Sequence, residues 1–552
     1  MEFLRFLKRE SKDFNANFFL VGTFAGLVNA ALLVILTLAA GEAGRNGPSL
    51  KTFLLAMLFL GGFWWSKRYL LDRARIIVEE IIRNIRVRIG RKILEANLAS
   101  FEEVGGASFF NAVSRHATAI SQAAIMMIQN CHSVVLVVLA FLAILVISMK
   151  AFLLVGGTLG LLIALFMRNY AKVLGMMRDV AAQENAFVGG FNDLTHGFKE
   201  LKMNSARDWS FFHDHYRRLT NRSMELRVTA GLELNKNLLI AHIAFFVLLA
   251  AVVFILPKLG QNESQNVVTV LTIVIYIFGP ISEVIGAVPF LAEAAGSIHE
   301  ITRIETQLGA MTSDSTVLDA REEPLGISPF ANFTTIRCRD LEFQYPDLES
   351  DRTFKLGPIN FEVRKGEIVF IIGGNGSGKS SFFKVLCGLY APERGSISVD
   401  DREIDDTTRE DYRNLIVPIF SDFHLFDELL GMEEPSSQRV AELLRLMEIT
   451  GKTRIEGRHI TDTKLSAGQR KRLALLAAMQ EDRPVMLFDE WAAEQDPQFR
   501  KKFYREIIPA LQARGKTIVI ITHDDRYFDA ADRILKMEYG KFVEYDGEHL
   551  HP

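Results

Sequence analysis

Apolar residues are concentrated in six stretches in the N-terminal part of the chain. Phe18 to Ala40 carries no charge over more than the ~20 residues that a bilayer-spanning helix needs. The second stretch, Leu54 to Trp65, rises only ~18 Å at ~1.5 Å per residue, so it crosses a ~30 Å core only when its flanks join the helix. The other four are Val134 to Ser148, Phe152 to Met167, Leu238 to Leu256 and Val267 to Pro289. The pattern predicts six transmembrane helices.

Lys and Arg are frequent in the lead "MEFLRFLKRESK" and in the segments Lys67 to Arg115 and Arg168 to Arg227. Six spans return the chain to its starting side, and the positive-inside rule then places both termini in the cytoplasm. A charged lead before an apolar run is also typical of a signal peptide. This run is longer than the usual core of about 7–15 residues, so we interpret it as an uncleaved first helix.

The two basic segments contain few Gly or Pro residues and have helical apolar spacing, as in "RIIVEEIIRNIRVRIGRKIL". We therefore expect the membrane helices to continue far into the cytoplasm. Breaks at "FEEVGGASFF" (Phe101 to Phe110) and around "HGFKELKMNSARDWSFF" (His196 to Phe212) predict turns that present short helices.

Residues 308–334 are polar and lack periodicity, which predicts a linker after a transmembrane domain of residues 1–307. From Thr335 onward, strand-like runs ("EIVFIIG", "PVMLFDE" and "TIVIIT") alternate with helical ones. This alternation is typical of a mostly parallel sheet flanked by helices. Residues 335–552 are therefore predicted to form an α/β domain.

Composition argues against nucleic-acid binding and against a metal site formed by cysteines. At 552 residues the chain is long enough for more than one domain. Its formal net charge of −3 at pH 7 does not give the excess of positive charge that is typical of nucleic-acid-binding proteins. Cys131, Cys338 and Cys387 are far apart and lack metal-ligand spacing. We expect them to be reduced and to behave as small buried hydrophobic residues.

The stretch "EIVFIIGGNGSGKSSFFKVL" places a Gly-x-x-x-x-Gly-Lys-Ser motif between an apolar strand and a helix, the context that a phosphate-binding P-loop requires. The alternative is an ordinary glycine-rich turn. In a P-loop, backbone N–H groups surround the phosphates, Lys379 holds the β and γ phosphates, and Ser380 ligates Mg²⁺. The predicted nucleotide-binding residues are Gly373, Gly374, Asn375, Gly376, Ser377, Gly378, Lys379, Ser380 and Ser381.

In "PVMLFDEWAAEQDP" an apolar strand ends in two adjacent acids, Asp489 and Glu490. A Mg–nucleotide site needs an acid from a neighbouring strand end, and Asp489 can supply it. Because side chains alternate along a strand, Glu490 faces elsewhere and can polarise an attacking water. Without a P-loop, the same pair would be interpreted as a solvated acidic loop.

"LSAGQRKRLALL" from Leu465 precedes these acids, and "ITHDDRYF" with His523 follows them. With the P-loop and the six spans, they resemble the signature, Walker B and switch-histidine elements of an ATP-binding cassette (ABC) exporter half-transporter. The resemblance covers essentially the whole chain. It implies a six-helix membrane domain followed by a P-loop ATPase domain, ATP and Mg²⁺ as cofactors, and Glu490 and His523 as catalytic residues.

The resemblance implies further roles. Ser466, Ala467, Gly468 and Gln469 would meet the ATP of the opposite subunit, with Ala467 in place of the usual glycine. Asp496 would be the D-loop aspartate. Tyr345 in "LEFQYP" would stack on adenine, with Phe343 as a neighbouring candidate. The spacing of Ser466 and Gln469 is also typical of a helix capping box, and both interpretations can hold because a helix start binds anions.

One motif departs from the family. "VPIFSDFHLF" has Ser421 where most cassettes have a glutamine that reaches Mg²⁺ and the attacking water. Serine is shorter, so either Ser421 acts through a bridging water or Asp422 substitutes for it. The departure bears on how hydrolysis is coupled to the membrane helices. Hydrolysis itself is expected because Glu490 and His523 are present.

"IFSDFHLFD", "FDEWAAEQDPQFRKKFY" and "THDDRYF" together resemble the bacterial cyclic-peptide exporters, a group that includes pyoverdine-type siderophore, lipopeptide and lasso-peptide exporters. The resemblance implies a homodimer in the bacterial inner membrane, with the cassette in the cytoplasm, that exports a peptidic secondary metabolite to the periplasm. Alternatives are a lipid or glycolipid flippase, a siderophore importer and a membrane-tethered ATPase that regulates a partner.

Polar residues inside the predicted spans are candidates for substrate contact. Asn29, His242 and Glu283 are such residues, and an ionisable group within a membrane is a functional hypothesis by default. For Glu283, the hypotheses are contact with substrate or a proton, or a hydrated structural position near the cytoplasmic end.

Overall fold

A computed structural model describes residues 2–11, 16–43, 50–309, 328–344 and 354–545. The chain divides into two compact units. The first comprises Met1–Arg88 and Phe110–Thr302, and the second comprises Ile89–Phe109 and Arg303–Pro552. Residues 310–327, which form most of the predicted linker, lie outside the described residues.

The N-terminal part of the chain is helical, as its apolar pattern predicts. Its helices are α1 Glu2–Glu10, α2 Ala16–Ala43, α3 Leu50–Glu95, α4 Leu98–Val104, α5 Gly106–Asn111, α6 Ala117–Ile147, α7 Met149–His196, α8 Phe198–Lys202, α9 Ser205–Ser210, α10 Arg217–Phe254 and α11 Gln261–Gly309. Short π-helical segments cover Ala112–His116 and Phe211–Tyr216, and Leu256–Leu259 form a 3₁₀ turn.

Each predicted apolar stretch coincides with one of the longer helices: α2, α3, α6, α7, α10 and α11. Within the described residues, the helical stretches long and apolar enough to cross a membrane are Ser108–Ile147, Ser205–Phe254 and Asn266–Leu308, with shorter apolar helices at Leu20–Leu36 and Met149–Leu161. The stretch in α3 is not among them, and Ser66, Lys67 and Arg68 follow its apolar residues. Its flanks do join the helix, which continues for 46 residues.

The helices extend well beyond their apolar parts. α7 has 48 residues, or about 70 Å at ~1.5 Å per residue, so more than half of its length exceeds a bilayer core. Short helices occupy both predicted breaks: α4 and α5 after α3, and α8 and α9 after α7. The side chain of Asn97 accepts a hydrogen bond from the Ser100 N–H and so caps α4 at its start.

The C-terminal domain contains the predicted alternation of strands and helices. Its strands are β1 Thr335–Gln344, β2 Lys355–Arg364, β3 Ile368–Ile372, β4 Arg394–Val399, β5 Arg402–Glu403, β6 Ile416–Ile419, β7 Ile455–Glu456, β8 His459–Ile460, β9 Val485–Asp489, β10 Thr517–Ile521, β11 Arg533–Glu538 and β12 Lys541–Val543. Its helices are α12 Lys379–Leu386, α13 Arg409–Arg413, α14 Ser437–Leu446, α15 Ala467–Glu481, α16 Pro497–Lys502 and α17 Ile508–Ala513.

Over the described part of this domain, the strands form a six-stranded sheet in the order β12-β11-β3-β10-β9-β6, a four-stranded sheet in the order β2-β1-β4-β5, and the β7-β8 pair. In the larger sheet β11, β3, β10, β9 and β6 run parallel, and β12 is antiparallel to β11. The strands β3, β9 and β10 are buried at every position, as continuous apolar runs in a sheet covered on both faces require. Their carboxyl ends therefore meet at one edge.

Candidate active site

The glycine-rich loop lies between the end of β3 and the start of α12, as predicted. Gly373 has φ +148° and Gly378 has φ +103°, conformations that residues with a side chain rarely adopt. A Cβ on Gly373 would lie 2.2 Å from the carbonyl oxygen of Met537, so the close approach of the backbone also requires glycine there. Because α12 begins at Lys379, the loop delivers its N–H groups at a helix N-terminus, which favours phosphate.

The Lys379 side chain folds back over this loop. Its Nζ donates hydrogen bonds to the carbonyl oxygens of Gly373 and Gly374, both at 2.9 Å. Burial lowers the pKa of Lys379, while the nearby carboxylates of Glu490 and Asp489 raise it. The ammonium is therefore held beside the phosphate cradle, where it can transfer from the two carbonyls to phosphate oxygens.

Asp489 ends β9 and is only 2% exposed. Burial raises the pKa of Asp489, and hydrogen bonding from Ser380 opposes this rise. Among the residues that the structure describes, Oδ1 of Asp489 has no hydrogen-bond partner. A buried carboxylate oxygen without a partner, beside the Ser380 hydroxyl, fits a hard cation such as Mg²⁺, which takes oxygen ligands. Ser380 and Asp489 would hold the ion, which neutralises phosphate charge when bound.

Ser421 and Asp422, the alternatives for the missing glutamine, follow β6. Both residues are exposed, and the Ser421 hydroxyl donates to Oδ2 of Asp489 at 3.4 Å. The structure therefore brings Ser421, rather than Asp422, to the acid that the sequence assigns to the metal.

Glu490 follows β9 in a left-handed conformation, with φ +49° and ψ +34°. Its N–H donates to the carbonyl oxygen of Ile521 at 3.1 Å, which ties it to the end of β10. His523 follows β10, and its Nε2 lies 3.2 Å from Oε1 of Glu490. A carboxylate beside a phosphate cradle, oriented by an imidazole, can act as a general base toward water.

The signature segment starts α15. The Ser466 side chain accepts from the Gln469 N–H and the Gln469 side chain accepts from the Ser466 N–H, so the predicted capping box is present. A Cβ on Gly468 would lie 2.9 Å from the carbonyl oxygen of Glu494, which explains the glycine at this position. Ala467 is exposed at the helix start, and its methyl group is accommodated there.

Asp496 caps α16 by accepting a hydrogen bond from the Phe499 N–H at 2.9 Å, and this bond lowers the pKa of its carboxyl. Arg472 of α15 forms an ion pair with the same carboxylate. The segment after Glu490 is therefore fixed to the signature helix by Arg472, a side chain that the sequence motifs did not single out.

Of the two candidates for adenine stacking, Tyr345 and Phe343, the structure describes only Phe343. Tyr345 lies outside the described residues. Phe343 is buried in the core and stacks on Tyr390, with ring centroids 4.6 Å apart, so the interpretation of Phe343 as a base-stacking residue is wrong. In β1 this side chain points inward, and a nucleotide base cannot reach its ring.

Comparison with known proteins identifies the family. A family model described as ABC transporter matches residues 356–493. Over 541 residues, which cover 95% of this chain and 93% of its relative, the sequence is 31% identical to the ATP-binding protein SyrD of Pseudomonas syringae pv. syringae. The chain belongs to the ABC transporter family. It is therefore an ATPase that binds ATP and drives membrane transport.

Two other similarities place this ABC transporter more closely. It is 27% identical over 372 residues to an ATP-dependent lipid A-core flippase of Burkholderia pseudomallei (strain 1710b), covering 64% of this chain and 59% of the flippase. Its structure is similar to that of a bacterial Atm1-family ABC exporter with ATP bound, with a TM-score of 0.75, 17% identity, and coverage of 95% of this chain and 94% of the other. The ABC transporter thus has the exporter fold.

In the helical unit of the ABC transporter, the predicted polar residues lie in separate contacts. Asn29 Oδ1 accepts from the Tyr276 hydroxyl at 2.6 Å, and Glu283 Oε2 accepts from the Ser133 hydroxyl at 2.6 Å. His242 meets the ring of Phe278 edge to face, with centroids 5.4 Å apart. Because Tyr276, Phe278 and Glu283 all belong to α11, this helix links the contacts without gathering them into one site.

Sequence inspection missed the partners of these residues and a second polar pair. Lys67 Nζ lies 3.1 Å from Nε2 of the buried His132, directly before Ser133 on α6. An apolar cavity of about 380 Å³ lies between α6, α7, α10 and α11, and Val134 and Ser282 are among its lining residues. These two residues adjoin Ser133 and Glu283 in sequence, so the polar contact lies beside the cavity. A lysine and a histidine within apolar helices were the available signals.

Proposed function

We propose that this ABC transporter exports a peptidic secondary metabolite, such as a siderophore precursor, a cyclic peptide or a lipopeptide, from the cytoplasm to the periplasm. The observation that carries the transport chemistry is the contact between Glu490 and His523 beside the P-loop, in a chain with long apolar helices. The peptide assignment is supported by the similarity of the Ser421, Glu490 and His523 segments to those of cyclic-peptide exporters.

In this proposal the ATP site works through residues at the edge of the sheet. Lys379 and the P-loop N–H groups bind the phosphates, and Ser380 and Asp489 would hold Mg²⁺. Glu490 takes the proton of the attacking water, and His523 orients the Glu490 carboxylate and contacts the γ-phosphate. The roles of His523 toward phosphate and of Asp496 in the D-loop follow the family pattern.

The working unit is proposed to be a homodimer in the bacterial inner membrane. Each chain has one P-loop and one signature segment, so two chains complete two ATP sites when Ser466 to Gln469 of one chain meet the ATP of the other. The turn between α7 and α10 exposes large apolar side chains, with Met203 87% exposed and Phe198, Trp209 and Phe212 also exposed. Such a patch is typical of an interaction surface, and a second copy would cover it.

ATP binding would bring the two cassettes together, and hydrolysis would reset them. The short helix α4 packs on the cassette core, with Leu98 against the core cluster and Glu102 bonded to Lys384 at 3.0 Å. Movement of the cassette would therefore move α3, which continues into the membrane part. In this alternating-access mechanism, ATP binding and hydrolysis change the relative stability of two conformations of the transporter.

The substrate would lie among the helices that carry Asn29, His242 and Glu283. An exposed carboxylate at Glu283 beside an apolar cavity suits a molecule that combines apolar side chains or an acyl chain with a cationic or hydrogen-bonding group. Modified peptides have this mixed character. Membrane lipids would contact the outer faces of the same helices.

A lipid or glycolipid flippase is the second candidate, favoured by the similarity to the Burkholderia lipid A-core flippase. It would use the same ATP chemistry, but its substrate would remain in the membrane. Glu283 would then contact a headgroup while acyl chains stay in the bilayer. The two functions differ in what accumulates when transport stops.

The test compares small peptides in the cytoplasm, periplasm and medium of the native bacterium by mass spectrometry. Strains carry the wild-type transporter, Glu490→Gln, or the exposed control Glu506→Gln. Export predicts that a modified peptide accumulates in the cytoplasm of the Glu490→Gln strain and not of the control strain. An unchanged peptide distribution with altered lipid asymmetry would replace peptide export with lipid flipping.

A further inference from the structure

A buried lysine outside the assigned motifs contacts the proposed general base. Lys471 lies on α15, two residues after the signature segment, and is only 3% exposed. Its Nζ donates to the main-chain carbonyl oxygen of Glu490 at 3.3 Å and lies 3.5 Å from Oε1 of Glu494. Burying an ammonium is unfavourable unless its hydrogen bonds are replaced, so the contact with the Glu490 carbonyl contributes to keeping this cation in place.

The peptide that Lys471 holds is in a strained conformation. Glu490 has φ +49°, a left-handed conformation that a residue with a side chain adopts only when its surroundings hold it there. The Glu490 N–H is bonded to Ile521, and the indole N–H of Trp491 donates to the carbonyl oxygen of Lys471 at 2.9 Å. Two successive residues, Glu490 and Trp491, are thus joined to one residue of the signature helix.

We propose that Lys471 is a positioning residue for Glu490. By holding the Glu490 carbonyl, it keeps the main chain in the left-handed conformation that directs the carboxylate toward His523 and the phosphate cradle. The inference rests on the proposed role of Glu490 as general base. Misplacing a catalytic group by about 1 Å can lower a rate ~100-fold, so a contact with the main chain can control turnover without touching ATP.

The position of Lys471 also connects the signature segment with the proposed general base, Glu490, of the same chain. The helix that carries Lys471 is capped by Ser466, which the proposed dimer places against the partner's ATP. A shift of α15 when that ATP binds would reach Glu490 through the Lys471 ammonium. The Lys471 contact therefore makes the geometry of one general base depend on the signature helix of the same chain.

The test measures ATP hydrolysis by the full-length transporter in lipid nanodiscs. Lys471→Met removes the donor at similar length, Lys471→Gln keeps a neutral donor, Glu494→Gln removes only the charge partner, and Lys452→Met is an exposed control. We expect Lys471→Met to lower kcat at least tenfold, with the KM for ATP changed less than twofold. Lys471→Gln should recover most of the rate, and Glu494→Gln and Lys452→Met should stay within twofold of wild type.

A double-mutant cycle separates positioning from general destabilisation. In the Glu490→Gln background, single-turnover hydrolysis of radiolabelled ATP should fall no more than twofold further when Lys471→Met is added, because the residue being positioned is already inactive. The same tenfold loss in both backgrounds would overturn the proposal, as would a wild-type kcat for Lys471→Met. If Glu490→Gln itself retains wild-type kcat, the proposed role of Glu490 fails instead.

Discussion

Nε2 of His523 lies 3.2 Å from Oε1 of Glu490, although the two residues are separated by 33 positions in the chain. They meet because β9 and β10 are parallel neighbours, so the residues that follow the two strands emerge at the same edge of the sheet. The P-loop follows β3, which pairs with the other side of β10. Sheet order alone therefore brings a phosphate cradle, a carboxylate and an imidazole together.

Removing the imidazole should reduce hydrolysis without preventing ATP binding. A hydrogen bond to a charged group contributes about 1.5–3 kcal/mol, which corresponds to a decrease in kcat of roughly 10- to 100-fold in His523→Ala. Steady-state ATPase assays at saturating ATP measure this decrease, and nucleotide titration measures affinity. The exposed His459→Ala serves as the matched control. A His523→Ala variant with wild-type kcat would contradict an orienting role for the imidazole.

Ser421, rather than Asp422, should affect the metal site. The Ser421 hydroxyl donates to Asp489 Oδ2 at 3.4 Å, a long bond that orients the carboxylate. Net hydrogen bonds contribute about 0.5–1.5 kcal/mol, so Ser421→Ala should raise the Mg²⁺ concentration for half-maximal ATPase activity by roughly 2- to 10-fold. Asp422→Asn should leave that concentration unchanged. A larger effect from Asp422→Asn would show that the acid takes the place of the missing glutamine.

The contact of α4 with the cassette should affect coupling more than hydrolysis. Glu102 accepts hydrogen bonds from Lys384 at 3.0 Å and from the Tyr390 hydroxyl. Glu102→Ala should therefore lower export severalfold, while basal ATPase activity stays within about twofold, because neither bond involves the ATP site. Glu103→Ala, its exposed neighbour, is the control. Equal losses of export and ATPase activity in Glu102→Ala would indicate destabilised folding rather than uncoupling.

The sequence was sufficient for the features that local patterns determine. Apolar runs predicted where the long helices lie, and the order of the P-loop, signature, acids and His523 predicted the strand ends that carry them. These signals are local, since each depends on residues within a few turns of one another. The capping box at Ser466 was predictable for the same reason.

Contacts between distant segments could not be predicted in this way. Ser133 and Glu283 are 150 positions apart, and Asn29 and Tyr276 are 247 positions apart. Neither pair has a sequence pattern of its own, so helix packing alone brings the partners together. The erroneous interpretation of Phe343 has a related cause: an aromatic residue on a half-buried strand can face either side, and the packing of Tyr390 determines which.

Because the carboxylate of Asp489 is buried, we expect the difference in stability between wild type and Asp489→Asn to depend on pH. Burial raises the pKa of this group above its usual value of 3.8. As pH rises from 3.8 through the raised pKa of the folded state, Asp489 loses its proton in the unfolded chain before it does so in the folded protein. The free energy of unfolding therefore falls across this pH window. Above the raised pKa the full cost of the buried charge remains. Asp489→Asn, which cannot ionise, should therefore have a higher melting temperature than wild type at neutral pH when no nucleotide is present.

Acid and ligand should each reduce this advantage of Asp489→Asn. Below the window both proteins are neutral at this position, so their melting temperatures should converge as pH falls toward 3.8. Mg-ATP should reverse the order at neutral pH, because the orphaned Oδ1 of wild-type Asp489 gains a cation that an amide binds poorly. Thermal unfolding of the purified transporter, scanned over pH with and without Mg-ATP, measures both effects. A melting-temperature difference that is independent of pH would mean that the Asp489 carboxyl does not change protonation on folding. Equal stabilisation of both proteins by Mg-ATP would mean that Asp489 does not bind the metal.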